Sequence, residues 1–180
     1  MKLHLVDLNP AIVEAWKSFF TVHPEVDVVS GSILDSATDA IVSPANSHGF
    51  MDGGIDLVYL RHFGRQLEDR VRDLVFRRPE QMIPVGSAEL VDTGSAQIPF
   101  LIVAPTMEMP EPVPPLHARR ALAAVLRLAD RHDYISDICC PGLCTGVGRV
   151  SPEDAAREME IAYREWKESD TNESRTRLPQ

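Results

Sequence analysis

Hydrophobic and polar positions alternate along the chain in two periods, one of about two residues and one of about three and a half. "KLHLVD" (2–7) alternates as a short strand, and "NPAIVEAWKSFF" follows it with Asn9 as N-cap and Pro10 at the first helical position. Ile12, Trp16, Phe19 and Phe20 then share one helical face. "VDVVSGSI" (26–33) reads as strand then turn, and "DAIVSP" (39–44) as a buried strand that Pro44 ends. From Ile55 to Arg78 the pattern is helical, with Gly64 breaking it into two helices. Strand candidates at 87–94 and 100–107 lead to "MEMPEPVPPLH", a proline-stiffened connector rather than a regular element. In "LHARRALAAVLRLADRHD" an apolar stripe of Ala118, Ala121, Leu122, Val125, Leu128 and Ala129 lies opposite Arg119, Arg120, Arg127 and Arg131. "ISDICCPG" is a further strand, and "SPEDAAREMEIAYREWKE" (151–168) a helix that Ser151, Pro152 and Asp154 start in a capping-box-like pattern.

Strands interleaved with helices predict an α/β layered fold with helices on both faces of the sheet. Residues 1–168 are expected to form one domain, and the polar "SDTNESRTRLPQ" (169–180), which lacks apolar periodicity, a flexible tail. A length of 180 residues is enough for a full core without disulfides or metals. No apolar run approaches the roughly 20 residues of a membrane helix. The acids and proline of "MKLHLVDLNPAIVEAW" do not resemble a secretory signal either, so a cytoplasmic location is expected. The net charge of −9 argues against a general nucleic-acid surface, so an anionic ligand should be small and locally bound. Cys139, Cys140 and Cys144 form no disulfide framework, and no ligand set completes a zinc site, so they read as small buried residues.

Ligands of such sheets gather at the carboxyl ends of the strands. Two glycine-rich loops are placed there: "ANSHGFMDGGID" after the 39–44 strand and "PGLCTGVGRVSP" after the 135–140 strand. Each feeds a helix, whose free amides and dipole suit an anion, and glycine lets the backbone come close to it. Neither loop is a nucleotide motif by itself: the second lacks the GK[ST] of a P-loop, and its spacing is not GxGxxG. Facing each other, they would form a cleft for a diphosphate.

"DAIVSPANSHGFMDGGIDLVYLRHFG" and "CPGLCTGVGRVSPEDAA" together resemble the two signature loops of macrodomains, in the right order, with the likeness spanning about residues 26–166. The resemblance implies a three-layer α/β/α sandwich with a central mixed sheet, binding ADP-ribose or a molecule that carries it. Asn46 would then reach the distal ribose. Ala45, Gly53, Gly54 and Ile55 would line one side, and Cys144, Thr145, Gly146, Val147, Gly148 and Arg149 would close on the phosphates. Ser32 and Ile33 would lie at the adenine end. No cofactor and no metal are implied, and the partner is free ADP-ribose or an ADP-ribosylated protein.

In one hydrolase subgroup an Asp follows the strand-end Asn by ten positions, as Asp56 follows Asn46, with Arg61 and Gly64 in the places of the subgroup's Arg and Gly. Asp56 would activate a water, or a ribose hydroxyl, near the anomeric carbon while Asn46 holds the ribose, hydrolysing an ADP-ribosyl bond. Asp56 also sits in a first helical turn, where the dipole alone stabilises a carboxylate. The chain departs from the family at Ser32, where an adenine-binding Asp is common and Asp35 is the nearby substitute. It departs again at Leu60, in place of a helix histidine, and at Gly148 and Arg149, where an aromatic residue often covers the ribose. His48 reads as an exposed loop residue, and Cys144 has no histidine to make it a nucleophile. A non-catalytic ADP-ribose reader, or a structural macrodomain that has lost its ligand, are the alternatives.

Overall fold

The computed structural model describes residues 1–176, with side chains to residue 169. Six strands form one sheet in the order β2-β1-β6-β3-β5-β4: β1 Lys2–Asp7, β2 Asp27–Ser30, β3 Ala40–Ser43, β4 Glu89–Asp92, β5 Phe100–Val103 and β6 Asp137–Cys140. Five run parallel, and β4 closes one edge antiparallel to β5, with Leu90 opposite Ile102. The sheet is therefore mixed, as expected.

The strand side chains divide by the pleat. Leu3, Leu5, Val42, Ile102, Ile138 and Cys140 enter a core on one face, with residues of α1 (Pro10–Phe19), α5 (Leu116–Ala129) and α6 (Pro152–Thr176). Val6, Ile41, Leu101, Val103 and Cys139 enter a second core on the other face, with α2 (Ile33–Ser36), α3 (Gly54–Phe63) and α4 (Arg65–Arg77). These are the three layers of an α/β/α sandwich. Because both faces are covered, β3 reads as a continuous apolar run rather than an alternating one.

Helix starts follow their caps. Asn9 Oδ1 accepts from Ala11 N at 3.0 Å, and Ser151 Oγ accepts from Asp154 N at 3.1 Å while donating to Asp154 Oδ2 at 2.8 Å. Gly64, at φ +87°, separates α3 from α4. The apolar stripe of α5 is buried as expected.

The strands are shorter than their apolar runs. β5 stops at Val103, and residues 104–107 run on beside the end of β3 and the loop after it, with Ala104 N donating to Ser43 O and Thr106 N to Ala45 O, each at 2.9 Å. The turn expected after β2 contains a one-turn helix, α2, too short to show a period. Helix α6 passes the domain boundary expected at residue 168 and runs to Thr176; the rest of the expected tail lies outside the described residues. Among the described residues no helix is long and apolar enough to cross a membrane.

Candidate functional site

One cleft of about 580 Å³ lies across the carboxyl ends of the strands. Sheet order sets its layout: the segments after β2, β1, β6, β3 and β5 line it in turn. At about 4.8 Å between strands, five strand ends span about 19 Å. The cleft volume is that of an ordinary small-molecule site.

Helix α3 points its N-terminus into the middle of this cleft, with Gly53, Gly54, Ile55 and Asp56 on the wall. No side chain caps this helix, so its first amides keep their donors and positive dipole end for a ligand. Gly54 holds φ +55° at the first helical position, a conformation that L side chains rarely adopt. The loop after β6 faces it with Thr145, Gly146, Val147 and Gly148. This loop is wound tightly: Val150 N donates to Cys144 O at 3.1 Å and Arg149 N to Gly146 O at 3.0 Å. A β-carbon on Gly148 would lie 2.6 Å from Cys144 O. Val113 N donates to Gly148 O at 3.0 Å, so the proline-rich connector braces the loop.

Asp56 lies at the floor and is 7% exposed. Its Oδ1 accepts a hydrogen bond from Ser43 Oγ at 2.6 Å. Burial pushes its pKa from 3.8 up to about 7, against a smaller downward pull from the Ser43 hydroxyl. Such a carboxyl changes charge near neutral pH, where proton transfer is most useful. Tyr59, one turn on, donates to Val42 O at 3.0 Å and pins α3 over β3. Desolvation, then the nearby Asp56 charge, holds the Tyr59 phenol far above its ordinary range.

Asn46 also lines the cleft, but most of its amide is used in the loop. Nδ2 donates to Phe50 O at 2.8 Å, and Oδ1 accepts from His48 N at 3.1 Å and Phe50 N at 3.3 Å. One N–H is left to face a ligand. Ser32, Ile33 and Cys144 are on the wall as well. Ala45 and Arg149 are not. Ala45 is buried in the second core, because the chain there is still paired to the extension of β5. Arg149 is exposed at φ +54°, beyond the turn that the loop makes around Gly146. Asp35, considered as a stand-in for a carboxylate at position 32, is exposed and outside the cleft. His48 is half-buried rather than exposed, and it does not line the cleft. Cys144 is buried, and desolvation pushes its thiol up to about 12, so no thiolate nucleophile is available there.

Motif reading missed several residues in and behind the wall, Ser43 among the latter. Ser43 is a fully buried hydroxyl at the end of an apolar strand, a position where a polar side chain needs a partner. Asp7 ends β1 beside the cleft, and its Oδ2 accepts from Gly142 N at 3.0 Å, tying the first strand to the loop after β6. Phe50, Thr106 and Met107 join from the loops after β3 and β5. Among the described residues no group of three or more His, Cys, Asp or Glu side chains is placed to hold a metal ion.

A family model described as Macro domain matches residues 42–159. An uncharacterized protein of Aquifex aeolicus is 43% identical over 136 residues, covering 75% of this chain and 78% of the relative. The chain belongs to the macro domain family. Its fold is similar to that of the macrodomain of Mycobacterium tuberculosis DarG, with TM-score 0.66, 24% identity, and coverage of 76% of this chain and 88% of the other. It is also similar to Thermosipho africanus DarTG in complex with ADP-ribose, with TM-score 0.62, 14% identity, and coverage of 73% and 36%.

Proposed function

We propose that the cleft binds ADP-ribose, free or attached to a protein, and that the protein hydrolyses an ADP-ribosyl ester bond. The observation that carries this reading is the pairing of an uncapped helix N-terminus with a buried, near-neutral carboxyl on the same wall. The amides of α3 and of the 145–148 loop serve the diphosphate without requiring a basic protein. The ADP-ribose in the complex of the Thermosipho fold relative is consistent with this ligand class.

In the reaction a water attacks the anomeric carbon of the distal ribose. Its oxygen forms the new bond to that carbon, its proton passes to the free Oδ2 of Asp56, and the bond from the carbon to the acceptor carboxylate breaks. The carboxylate leaves ionised and needs no acid. Ser43, bound to Oδ1, orients the Asp56 carboxyl so that Oδ2 is the basic atom. Asn46 uses its remaining N–H on the ribose and otherwise keeps the loop in shape.

A second reading, a reader that binds without turnover, is favoured by Leu60 in place of the subgroup's histidine and by the engagement of most of the Asn46 amide. Calorimetric titration of ADP-ribose, followed by turnover of an ADP-ribosylated glutamate peptide, separates the two. The proposal expects micromolar binding, about −8 kcal/mol, and turnover that Asp56→Asn removes while affinity changes by less than about tenfold. Binding without turnover would favour the reader, and no binding at millimolar ligand would defeat both.

A further inference from the structure

Reading the cleft as an ADP-ribose site leaves its other end to be assigned. Asp56 and Asn46 follow β3, so the sugar to be cleaved lies over β3 and β5, and the diphosphate lies between α3 and the loop after β6. The nucleobase then falls over β1 and β2. Its walls there are Leu8, Ile12, Ile33 and Leu34, apolar surfaces suited to a flat ring. The polar side chains at this end are Asp7, Asn9 and Ser32.

The geometry distinguishes them. Asp7 Oδ1 accepts from Asn9 N at 2.8 Å and Oδ2 accepts from Gly142 N at 3.0 Å. The two amides hold the carboxylate in one orientation and use one acceptor position on each oxygen. An ionised carboxylate has about four such positions, so about two remain for a ligand. Asn9 accepts with Oδ1 from Ala11 N, and its side-chain NH₂ makes no hydrogen bond among the described residues. Ser32 supplies only a hydroxyl, and its side chain makes no capping bond.

A fixed acceptor and a free donor on the same stretch of wall complement the adenine edge, where the 6-amino group donates and N1 accepts. It mismatches a 6-oxopurine, where O6 accepts and N1–H donates. We propose that Asp7, with the Asn9 side-chain amide on the same end of the cleft, is the residue that selects a 6-amino purine, so that base selection comes from the end of β1 and not from position 32. This inference rests on the ADP-ribose reading of the cleft.

The test compares ADP-ribose with its hypoxanthine counterpart, IDP-ribose, by calorimetry on the full chain. The expected wild-type preference for the adenine ligand is about tenfold or more, the scale of one hydrogen bond to a charged group. Asp7→Asn should bring the ratio close to one, because the new amide can donate to O6, and Ser32→Ala should leave it unchanged. Asp7 also holds Gly142, so a purely structural role would weaken both ligands equally and keep the ratio; that result overturns the assignment. Asn9→Ser keeps a capping acceptor for α1 but removes the NH₂, and it should lower the ratio even if the Asp7 variant does not fold. An unchanged ratio in Asn9→Ser, a collapsed ratio in Ser32→Ala, or tight binding of both ligands by the wild type would each sink the assignment of Asp7 while leaving the site intact. Failure of the folded wild type to bind either ligand would instead defeat the ADP-ribose reading beneath it.

Discussion

Asp56 is held at a cost that pH exposes. In the unfolded chain its carboxyl titrates at its ordinary 3.8, whereas burial in the folded protein moves it to about 7. Below 3.8 both states carry the proton and the group contributes nothing to the pH dependence. Between the two values the unfolded chain has released a proton that the folded chain keeps, so stability falls as pH rises, and above about 7 the whole cost is present. At about 1.4 kcal/mol per pH unit, the gap corresponds to about 4 kcal/mol. Asp56→Asn cannot ionise and escapes this cost, though its buried NH₂ adds a penalty of roughly 1–3 kcal/mol that does not depend on pH. The informative quantity is therefore the stability of Asp56→Asn relative to wild type, followed by urea unfolding from pH 4 to pH 8. The variant should gain about 4 kcal/mol on the wild type across that range, or roughly 8–16 °C in relative melting temperature. A difference that stays flat with pH, or that moves against the variant as pH rises, would show that Asp56 is already ionised in the native protein and refute the argument.

If Asp56 is the general base, kcat/KM should rise with pH through about 7 as it loses its proton. Ser43→Ala removes the hydroxyl that pulls that pKa down and should move the profile to higher pH, and an unmoved profile would separate Ser43 from the chemistry. Gly146 and Gly148 should part ways. At Gly146 a β-carbon meets nothing within 4 Å, so Gly146→Ala should leave stability within about 0.5 kcal/mol while weakening ADP-ribose in calorimetry. Gly148→Ala drives its methyl against Cys144 O and should cost about 1–3 kcal/mol in urea unfolding. Iodoacetamide at pH 8 should leave all three cysteines of the native protein unlabelled and label all three once it is unfolded, read by mass spectrometry, because each thiol is buried.

Much of this protein is local and therefore legible in its sequence. The caps at Asn9 and Ser151, the break at Gly64, the stripe of α5 and the glycine loops after β3 and β6 each depend on neighbours within a few positions, which backbone sterics and side-chain period determine. The two loops together carried the family, and with it the three-layer sheet, because their residues and order resemble a known pattern. What the sequence did not determine comes from contacts between distant segments. The apolar reading carries β5 on to residue 107, whereas the regular strand ends at Val103; residues 104–107 stay paired to the segment after β3, and that long-range pairing buries Ala45. Asn46 was read as facing a ligand, yet its own loop takes most of its amide once the chain curls back at Phe50. Ser43 beside Asp56, and Asp7 beside Gly142, are 13 and 135 positions apart and have no motif. Only packing α3 over β3 desolvates the Asp56 carboxyl, and only placing β1 next to β6 brings Asp7 to the cleft. A carboxyl's basicity depends on how much water reaches it and on which dipoles face it, and the folded layers decide both.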